Sequence, residues 1–279
     1  MARVSRSDGA LVPHLLIFGL GYTASRLAAR LGAQGWRITA TRRSADADAL
    51  AFADEPAVRA AIASATHILS SVPPDGDIDP VLARYGNAIA TAPAIWTGYL
   101  SSTGVYGDVG GAWVDEASPV GSGRRTARAS ADIAWGDLRP DMRRFRLPGI
   151  YGPGRSALDR VRAGKAHRIA LRDQVFSRVH VDDILSGVIA SFDGPAGVYN
   201  LADDLPCAQN RLIEAACDLL HLPHPPLLSL EEAALSPMAR SFYAENRRVA
   251  NGRAKRLLGW VPRYPTYREG LAACESPHG

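Results

Sequence analysis

Hydrophobic and polar positions alternate most regularly between residues 14 and 43. The apolar run 15–18 lies between Pro13 and Gly19, and such a short, bounded run is typical of a buried strand in a parallel sheet. Apolar residues then recur at helical spacing over residues 22–31, and a second strand is predicted over residues 36–41. This segment is therefore predicted to form a strand, a glycine turn, a helix and a second strand.

A similar alternation of strands and helices continues along the chain. Helices are predicted from about residue 56 to 65, over 79–92 and over 210–220. Further strands are predicted from residue 66 up to Pro73 and over 95–100, because proline cannot continue a central strand. Residues 231–256 are predicted to be helical and basic, followed by a glycine cap at Gly259.

The glycine turn carries the pattern Gly19-x-Gly21-x-x-Ala24 between the first strand and the first helix. Gly19 permits the tight turn, Gly21 lets the backbone approach a pyrophosphate, and Ala24 lets the helix pack closely on its strand. Phosphate oxygens can then accept hydrogen bonds from the N–H groups at the start of the helix. We predict a dinucleotide site here, and the alternative is a glycine turn that binds no ligand.

The residues after the second strand indicate which dinucleotide is bound. An NAD site places a carboxylate there for the ribose hydroxyls, whereas a 2′-phosphate is bound by guanidinium groups. This chain has Thr41-Arg42-Arg43, and no acidic residue occurs before Asp46. We therefore predict NADP over NAD, and the alternative is a solvated arginine pair beyond a strand.

Polar residues also stand at the ends of two other predicted strands. In a doubly wound sheet the carboxyl ends of strands face the ligand, so residues 70–73 are expected to border the cofactor, with Ser71, Val72 and Pro73 as binding residues. Ser101 and Ser102 end the strand at 95–100, where they can form hydrogen bonds to a carbonyl or hydroxyl of a substrate. The alternatives are a plain strand exit for the first group and hydrogen bonds to the local backbone for the two serines.

The sequence from Ser101 to Asp108, SSTGVYGD, and the following DEASP at 115–119 resemble the extended short-chain dehydrogenase/reductase family, also called the NAD-dependent epimerase/dehydratase family. Further similar motifs follow in order: RLPGIYGPG at 146–154, VHVDDI at 179–184, VYNL at 198–201, Asn251, LGW at 258–260, Pro262 and YP at 264–265. The resemblance covers roughly residues 15–271, and several ordered motifs are more specific than any one of them.

The resemblance implies an α/β fold, a Rossmann-type doubly wound parallel sheet with a smaller C-terminal substrate lobe. We expect a disordered leader at 1–13, a NAD(P)-binding domain at 14–154 with return segments at about 176–204, and the lobe at 155–175 and 205–279. Ser102 corresponds to the catalytic Ser/Thr of the family. The expected cofactor-binding residues are Gly19, Leu20, Gly21, Tyr22, Thr23, Thr41, Arg42, Arg43, Ser71, Val72, Pro73, Leu100, Ser101, Pro148, Gly149 and Ile150.

The chain departs from the family at its catalytic pair, Tyr-x-x-x-Lys. Lys165 and Lys255 are the only lysines of the sequence, and neither follows a tyrosine by four residues. If residues 131–132 align with the Ala-Glu of the family, Arg124 takes the place of the tyrosine and Arg128 that of the lysine. Arginine stays protonated and cannot relay a proton, but it can bind a phosphate or a carboxylate.

Another acid is then needed for the reduction of a carbonyl. Tyr106 and Tyr151 are the nearest candidates, and the alternative for both is simple packing. Tyr151 has Arg155 four residues later, but the two lie in a Gly/Pro loop and are not stacked on a helix.

Composition and charge narrow the class of ligand. The 279 residues are 47% hydrophobic and 22% charged, as in a globular protein, with 32 basic and 28 acidic residues and a pI near 9.1. Basic residues concentrate within 155–178, which suits a small anionic substrate; the alternative is a solvated helix face. Nucleic acid is not an expected partner, because the charges are not interleaved with aromatic residues.

The remaining features concern compartment and partners. Cys207, Cys217 and Cys274 are odd in number and lack CxxC spacing, which fits a reducing cytoplasm. We expect no membrane association, and no metal site, since His221 and His224 lack a completing ligand set. The resemblance allows a homodimer.

Two functions remain from the sequence. The first is an NADP-dependent oxidoreductase or epimerase-like enzyme in which Ser102 holds the substrate oxygen and Arg124 and Arg128 hold an anionic group. The second is a non-catalytic NADP-binding protein that senses redox state and acts through a partner, which the absence of Tyr-x-x-x-Lys motivates.

Overall fold

The computed structural model describes residues 12–121, 126–235 and 237–275. The strands are β1 (His14–Phe18), β2 (Arg37–Arg42), β3 (Leu50–Ala51), β4 (His67–Ser70), β5 (Trp96–Ser102), β6 (Trp113–Val114), β7 (Met142–Leu147), β8 (Gly149–Tyr151), β9 (Arg168–Ile169), β10 (Arg178–His180), β11 (Gly197–Asn200), β12 (Leu227–Leu228) and β13 (Arg248–Val249). The helices are α1 (Tyr22–Gly32), α2 (Glu55–Ser64), α3 (Pro80–Ala90), α4 (Thr126–Leu138), α5 (Ala157–Arg162), α6 (Val181–Ala190), α7 (Gln209–Leu219), α8 (Pro237–Phe242), α9 (Gly252–Leu258) and α10 (Tyr267–Glu275).

Seven strands form one parallel sheet in the order β11-β7-β5-β4-β1-β2-β3. The chain runs outward from β1 through β2 to β3, and then returns to build β4, β5, β7 and β11 on the other side. The strand order therefore reverses between β1 and β4, which is the position where open α/β sheets bind ligands. The predicted Rossmann-type fold is confirmed.

The sheet is buried on both faces. Leu15 and Ile17 of β1 pack in a cluster with Leu27 of α1, whereas Leu16 and Phe18 pack on the opposite face with helices α2, α3 and α4. Because alternate side chains of a strand point to opposite faces, a strand covered on both sides needs apolar residues at every position. This explains the uninterrupted apolar run in β1.

One buried ion cluster joins α4 to the sheet. Asp132 of α4 is fully buried, and its carboxylate accepts hydrogen bonds from Arg146 at 2.8 Å and from Arg144 at 3.1 Å, both on β7. A buried carboxylate is tolerated only when it is paired in this way, so the cluster fixes the position of α4 against β5 and β7.

A second buried polar group lies at the opposite end of the sheet. His67 of β4 is enclosed by the rings of Trp36, Trp96 and Phe192, with ring centroids 4.6 to 6.0 Å away. Burial is the main reason that the pKa of His67 is lowered to about 4, so its imidazole is neutral at neutral pH.

Helices α5, α7 and α10 share a separate hydrophobic cluster that includes Leu158, Ile213 and Leu271. This cluster lies in the segments predicted to form the C-terminal lobe. Within the predicted leader, residues 1–11 lie outside the described residues. The domain boundaries therefore stay a prediction.

The prediction of continuous helix over residues 231–256 is wrong. This region contains the helices α8 and α9, and strand β13 lies between them. Arg248 of β13 pairs in parallel with Trp113 of β6. A strand partner more than a hundred residues away decides this structure, and local periodicity does not reveal it.

The described residues contain neither a helix fit to cross a membrane nor a group of metal-ligating side chains. None of their helices is long and apolar enough to cross a membrane. Within the same part of the chain, we found no group of three or more His, Cys, Asp or Glu side chains able to hold a metal ion.

Candidate functional site

The glycine turn after β1 contains two glycines whose surroundings differ. Gly19 has φ +85°, and a Cβ atom there would lie 2.8 Å from Cγ2 of Val72. Gly21 is the N-cap of α1 with φ −89°, and a Cβ atom there would have no heavy atom within 4 Å. Gly19 is thus required by the fold, whereas Gly21 leaves open space in front of the helix.

The start of α1 is an unfilled set of hydrogen-bond donors. Gly21 provides no side chain to cap the helix, and the first turn contains no acidic residue. The first N–H groups of a helix have no partner within the helix and carry partial positive charge. Ala24 is 1% exposed, which places α1 close to the sheet. A diphosphate therefore finds both donors and room at this turn.

The end of β4 supports the turn. The Ser71 hydroxyl donates to the carbonyl oxygen of Gly19 at 2.5 Å, and the Ser71 N–H donates to the carbonyl of Phe18. Val72 packs on the other side of Gly19. Ser71 and Val72 therefore hold the turn in place.

The end of β2 presents two exposed arginines. Thr41 is buried, and its carbonyl accepts a hydrogen bond from the Gly19 N–H at 3.2 Å, so the end of β2 is tied to the turn. Arg42 forms an ion pair with Asp46, and the two side chains are 42% and 36% exposed. Arg43 is exposed and forms no ion pair within the described part of the chain. Two exposed guanidinium groups therefore stand at the end of β2.

A cleft of about 1040 Å³ runs from the start of α1 across the ends of β5 and β7 to the C-terminal cluster. It brings together most of the predicted site, namely Gly21, Tyr22, Thr23, Ser71, Leu100, Ser101, Ser102, Arg128, Pro148, Gly149, Ile150 and Tyr151. The other predicted residues, Gly19, Leu20, Thr41, Arg42, Arg43, Val72, Pro73 and Tyr106, do not line it. Arg124 lies outside the described residues.

The two serines of β5 face different surroundings. The Ser102 side-chain oxygen accepts a hydrogen bond from the Gly104 N–H at 3.1 Å, which leaves its hydroxyl hydrogen free to donate into the cleft. Ser101 is 5% exposed, and its hydroxyl has no hydrogen-bond partner among the described residues. Ser102 thus satisfies the local backbone and still keeps a donor for a ligand.

Arg128 of α4 is held by a residue that the sequence analysis missed. Its Nη1 donates to the hydroxyl oxygen of Tyr99 at 3.1 Å. Tyr99 is fully buried on β5, and its ring is stacked on Trp135 with centroids 5.2 Å apart. Burial raises the pKa of Tyr99 to about 12, so the phenol is neutral. A tyrosine inside an apolar strand was the only signal in the sequence.

Tyr106 lies in the core rather than at the cleft. It is 1% exposed, and its hydroxyl donates to Oδ1 of Asn200 at 2.8 Å and accepts from Nη1 of Arg146 at 3.0 Å. Burial raises the pKa of its phenol. The position of Tyr106 agrees with the alternative of packing and gives its hydroxyl no access to a substrate.

Tyr151 lines the cleft, but its hydroxyl is directed away from it. A Cβ atom on Gly270 of α10 would lie 2.0 Å from this hydroxyl, so the tyrosine tip packs on that helix. The hydroxyl is buried without a hydrogen-bond partner in the described part of the chain. Burial, and secondarily the charge of Asp203, raises the pKa of Tyr151 far above neutrality. Its phenol is therefore poorly placed to move a proton to a substrate.

The far wall of the cleft is rich in positive charge. Its basic side chains are Arg155, Arg160, Lys165, His167, Arg178 and Arg247, and its acidic side chains are Asp159 and Glu245. The Asp159 carboxylate accepts hydrogen bonds from the backbone and side chain of Ser156 as part of a helix cap. Glu245 lies 2.9 Å from Nη1 of Arg247. Sequence analysis missed Glu245 and Arg247, because a distant segment brings them here.

No family model matches the chain. The structure is similar to that of a functionally unknown conserved protein from Silicibacter pomeroyi DSS, with 43% identity, a TM-score of 0.87, and coverage of 94% of this chain and 98% of that one. It is also similar to the human epimerase family protein SDR39U1 with NADPH, with 16% identity, a TM-score of 0.77, and coverage of 94% and 99%. At 16% identity this second likeness shows the fold alone.

A curated relative is the 3-diazoavenalumate denitrifying reductase of a Streptomyces species, which is 32% identical over 162 residues. The match covers 52% of each protein, so the chain spans about half the length of this relative. The Silicibacter protein matches over nearly its whole length at 43% identity, and the present chain therefore belongs to the same family as that protein.

Proposed function

We propose that the protein is an NAD(P)-dependent oxidoreductase or epimerase-like enzyme of the extended short-chain dehydrogenase/reductase type, acting on a small anionic substrate. The observation that carries this proposal is one continuous cleft, which begins at the uncapped start of α1 and passes the hydroxyl of Ser102. A cofactor diphosphate and a reacting substrate group can thus share one cavity.

The residues of the turn fit a dinucleotide. Gly21 would lie against the diphosphate, and the first N–H groups of α1 would donate to its oxygens. Pro148, Gly149 and Ile150, together with Leu100 and Ser101, would form the wall beside the nicotinamide. A bound nicotinamide supplies or accepts a hydride, and the chain's own residues provide binding and orientation.

NADP is the proposed cofactor because of Arg42 and Arg43. Arg42 is already paired with Asp46, but a pair between such exposed side chains contributes only about 0–1 kcal/mol. A 2′-phosphate, which carries more charge than a carboxylate, can therefore compete for Arg42, and Arg43 has no competing partner among the described residues. NAD is the alternative.

The substrate is proposed to be anionic because the basic side chains of the far wall outnumber the acidic ones, and both acidic groups have partners within the protein. Ser102 would donate its hydroxyl hydrogen to a substrate oxygen. Two relatives add support. The human protein of the same fold was solved with NADPH, and the Streptomyces relative is named as a reductase.

Isothermal titration of the purified protein with NADPH and NADH tests the cofactor, and hydride-transfer assays with nucleotide-sugars, keto sugars and quinones test the reaction. We expect tighter binding of NADPH, and loss of turnover in Ser102→Ala with cofactor affinity retained. Ser118→Ala is the matched control, because the Ser118 hydroxyl bonds to Asp115 outside the cleft. Absence of binding by either nucleotide at millimolar concentration would refute the proposal. Tight binding without turnover would favour the redox sensor instead.

A further inference from the structure

Arg128 is a cation at the cleft, and no carboxylate of the described residues pairs with it. It is half-buried and lines the cleft, and it forms no ion pair with any described residue. Within the same part of the chain its side chain makes one hydrogen bond, to Tyr99. A guanidinium carries five N–H donors, so several of them remain for a ligand.

The two carboxylates whose charge acts on Tyr99 are engaged elsewhere. Asp79 accepts hydrogen bonds from the N–H groups at the start of α3 and from the Trp135 indole at 2.8 Å. Asp132 is bound by the arginines of β7. Neither carboxylate therefore neutralises Arg128, whose positive charge is left for a molecule in the cleft.

Two hydroxyls border the same end of β5. Ser101 is only 5% exposed, and its hydroxyl has no hydrogen-bond partner among the described residues. Ser102 has a hydroxyl hydrogen free to donate. An unpartnered buried hydroxyl is unfavourable, and a ligand oxygen would satisfy it.

The nearby groups are poor proton donors. Arginine is not deprotonated in proteins, and serine hydroxyls donate hydrogen bonds without giving up their protons at neutral pH. The phenol of Tyr106 is enclosed by Asn200 and Arg146, and that of Tyr151 packs against α10. The described groups at this end of the cleft therefore stabilise negative charge better than they remove it.

We propose that Arg128, positioned by Tyr99, forms with the hydroxyls of Ser101 and Ser102 a subsite that binds a negatively charged substrate oxygen without protonating it. The role of this subsite in a reaction rests on the proposed function, whereas its ability to bind an anion does not. The matching ligands are phenolates and enolates, whose oxygen bears negative charge.

The probe is 4-nitrophenol, which ionises near neutral pH and whose phenolate absorbs visible light. Its ionisation is followed spectroscopically as a function of pH, free and bound to the full chain, without cofactor. Bound nitrophenol is expected to ionise about one pH unit below the free compound, because charge-assisted hydrogen bonds would favour the phenolate roughly tenfold. A bound probe that ionises at the same or a higher pH, or no binding at all, overturns the proposal.

Variants test each part. Arg128→Gln is expected to abolish the shift, and Arg128→Lys to restore part of it through charge alone. Tyr99→Phe, which removes only the hydroxyl that holds Arg128, is expected to reduce the shift severalfold. The control is Tyr85→Phe, since Tyr85 is also a fully buried tyrosine whose hydroxyl makes a backbone hydrogen bond, to Phe52.

The comparison separates this subsite from the cofactor proposal. Cofactor affinity is measured by calorimetry on the same variants, and circular dichroism confirms that each variant is folded. Equal shifts in wild type and Tyr99→Phe would overturn the positioning role. A shift in the probe together with absent nucleotide binding would refute the proposed function while leaving the anion subsite intact.

Discussion

The two glycines of the turn give a sharp test of where the cofactor lies, because stability and affinity should respond in opposite ways. At Gly21 we consider the substitution Gly21→Asp. The position has φ −89° and ψ −170°, and nothing lies within 4 Å of an added Cβ. Aspartate is a favoured N-cap, and its charge suits the positive end of α1.

Gly21→Asp is therefore expected to leave the free energy of unfolding unchanged or to raise it by about 0.3–1 kcal/mol. The same carboxylate would occupy the space of the diphosphate and repel its charge. Loss of one or two charge-assisted hydrogen bonds corresponds to about 3 kcal/mol, or roughly a hundredfold weaker binding of NADPH. Gly21→Ser is the matched neutral cap and should lose less affinity.

Gly19→Ala, in contrast, is expected to lower the free energy of unfolding. Its φ of +85° costs an alanine about 1–2 kcal/mol, and the contact at 2.8 Å with Val72 Cγ2 adds about 1–3 kcal/mol of overpacking. Urea unfolding measures the stability of each variant, and isothermal titration measures its affinity. If Gly21→Asp binds NADPH as tightly as wild type, the diphosphate does not lie at the start of α1, and the reasoning is refuted.

Further results are expected at Arg43 and Asp46, at Asp132 and at His67. Arg43→Ala should weaken NADPH binding roughly tenfold and leave the affinity for NADH unchanged. Asp46→Asn should tighten NADPH binding, because it releases Arg42 from its ion pair. Calorimetry measures both affinities. Asp132→Asn should cost about 3–5 kcal/mol in urea unfolding, because it leaves the buried guanidinium of Arg146 without its carboxylate partner. Because the pKa of His67 is lowered to about 4, the unfolded state binds a proton at higher pH than the folded state does. The free energy of unfolding should therefore keep its full value above about pH 6.5 and fall by up to about 3 kcal/mol as the pH approaches 4. His67→Asn should remove this pH dependence, and a wild type that lacks it would contradict the argument.

The first βαβ unit could be predicted nearly to the residue because its signals are local. The apolar run, the glycine turn and the helical spacing all lie within 14–43. Helix α1 begins at the predicted residue Tyr22, and β1 begins at His14, one residue before the predicted apolar run. The αL cap at Gly259 was also visible, since a left-handed residue at a helix end favours glycine. Features that depend on residues close together in the chain can therefore be predicted from the sequence.

The chemistry at the cleft could be predicted only in part, because it depends on contacts between distant segments. From the sequence, Tyr106 and Tyr151 were both candidates for a proton donor. The structure separates their hydroxyls from the cleft through Asn200 and Gly270, which are far away in the chain. Tyr99 was missed for the same reason, since the helix that carries its partner is placed by packing on the sheet.

Arg128 carries a positive charge at the cleft, but its surroundings differ from those of the catalytic lysine in the resembling family. In the resembling family a lysine lowers the pKa of a catalytic tyrosine, and that lysine corresponds to position 128 if residues 131–132 align with the Ala-Glu of the family. Here the residue four positions earlier is Arg124, which has no phenol to ionise. The cation at 128 instead donates to the neutral phenol of Tyr99, on the buried side, and keeps further donors for the cleft. If the proposed subsite binds a ligand, the positive charge at 128 would favour a phenolate or enolate of that ligand, whereas the lysine of the resembling family favours a phenolate of the protein.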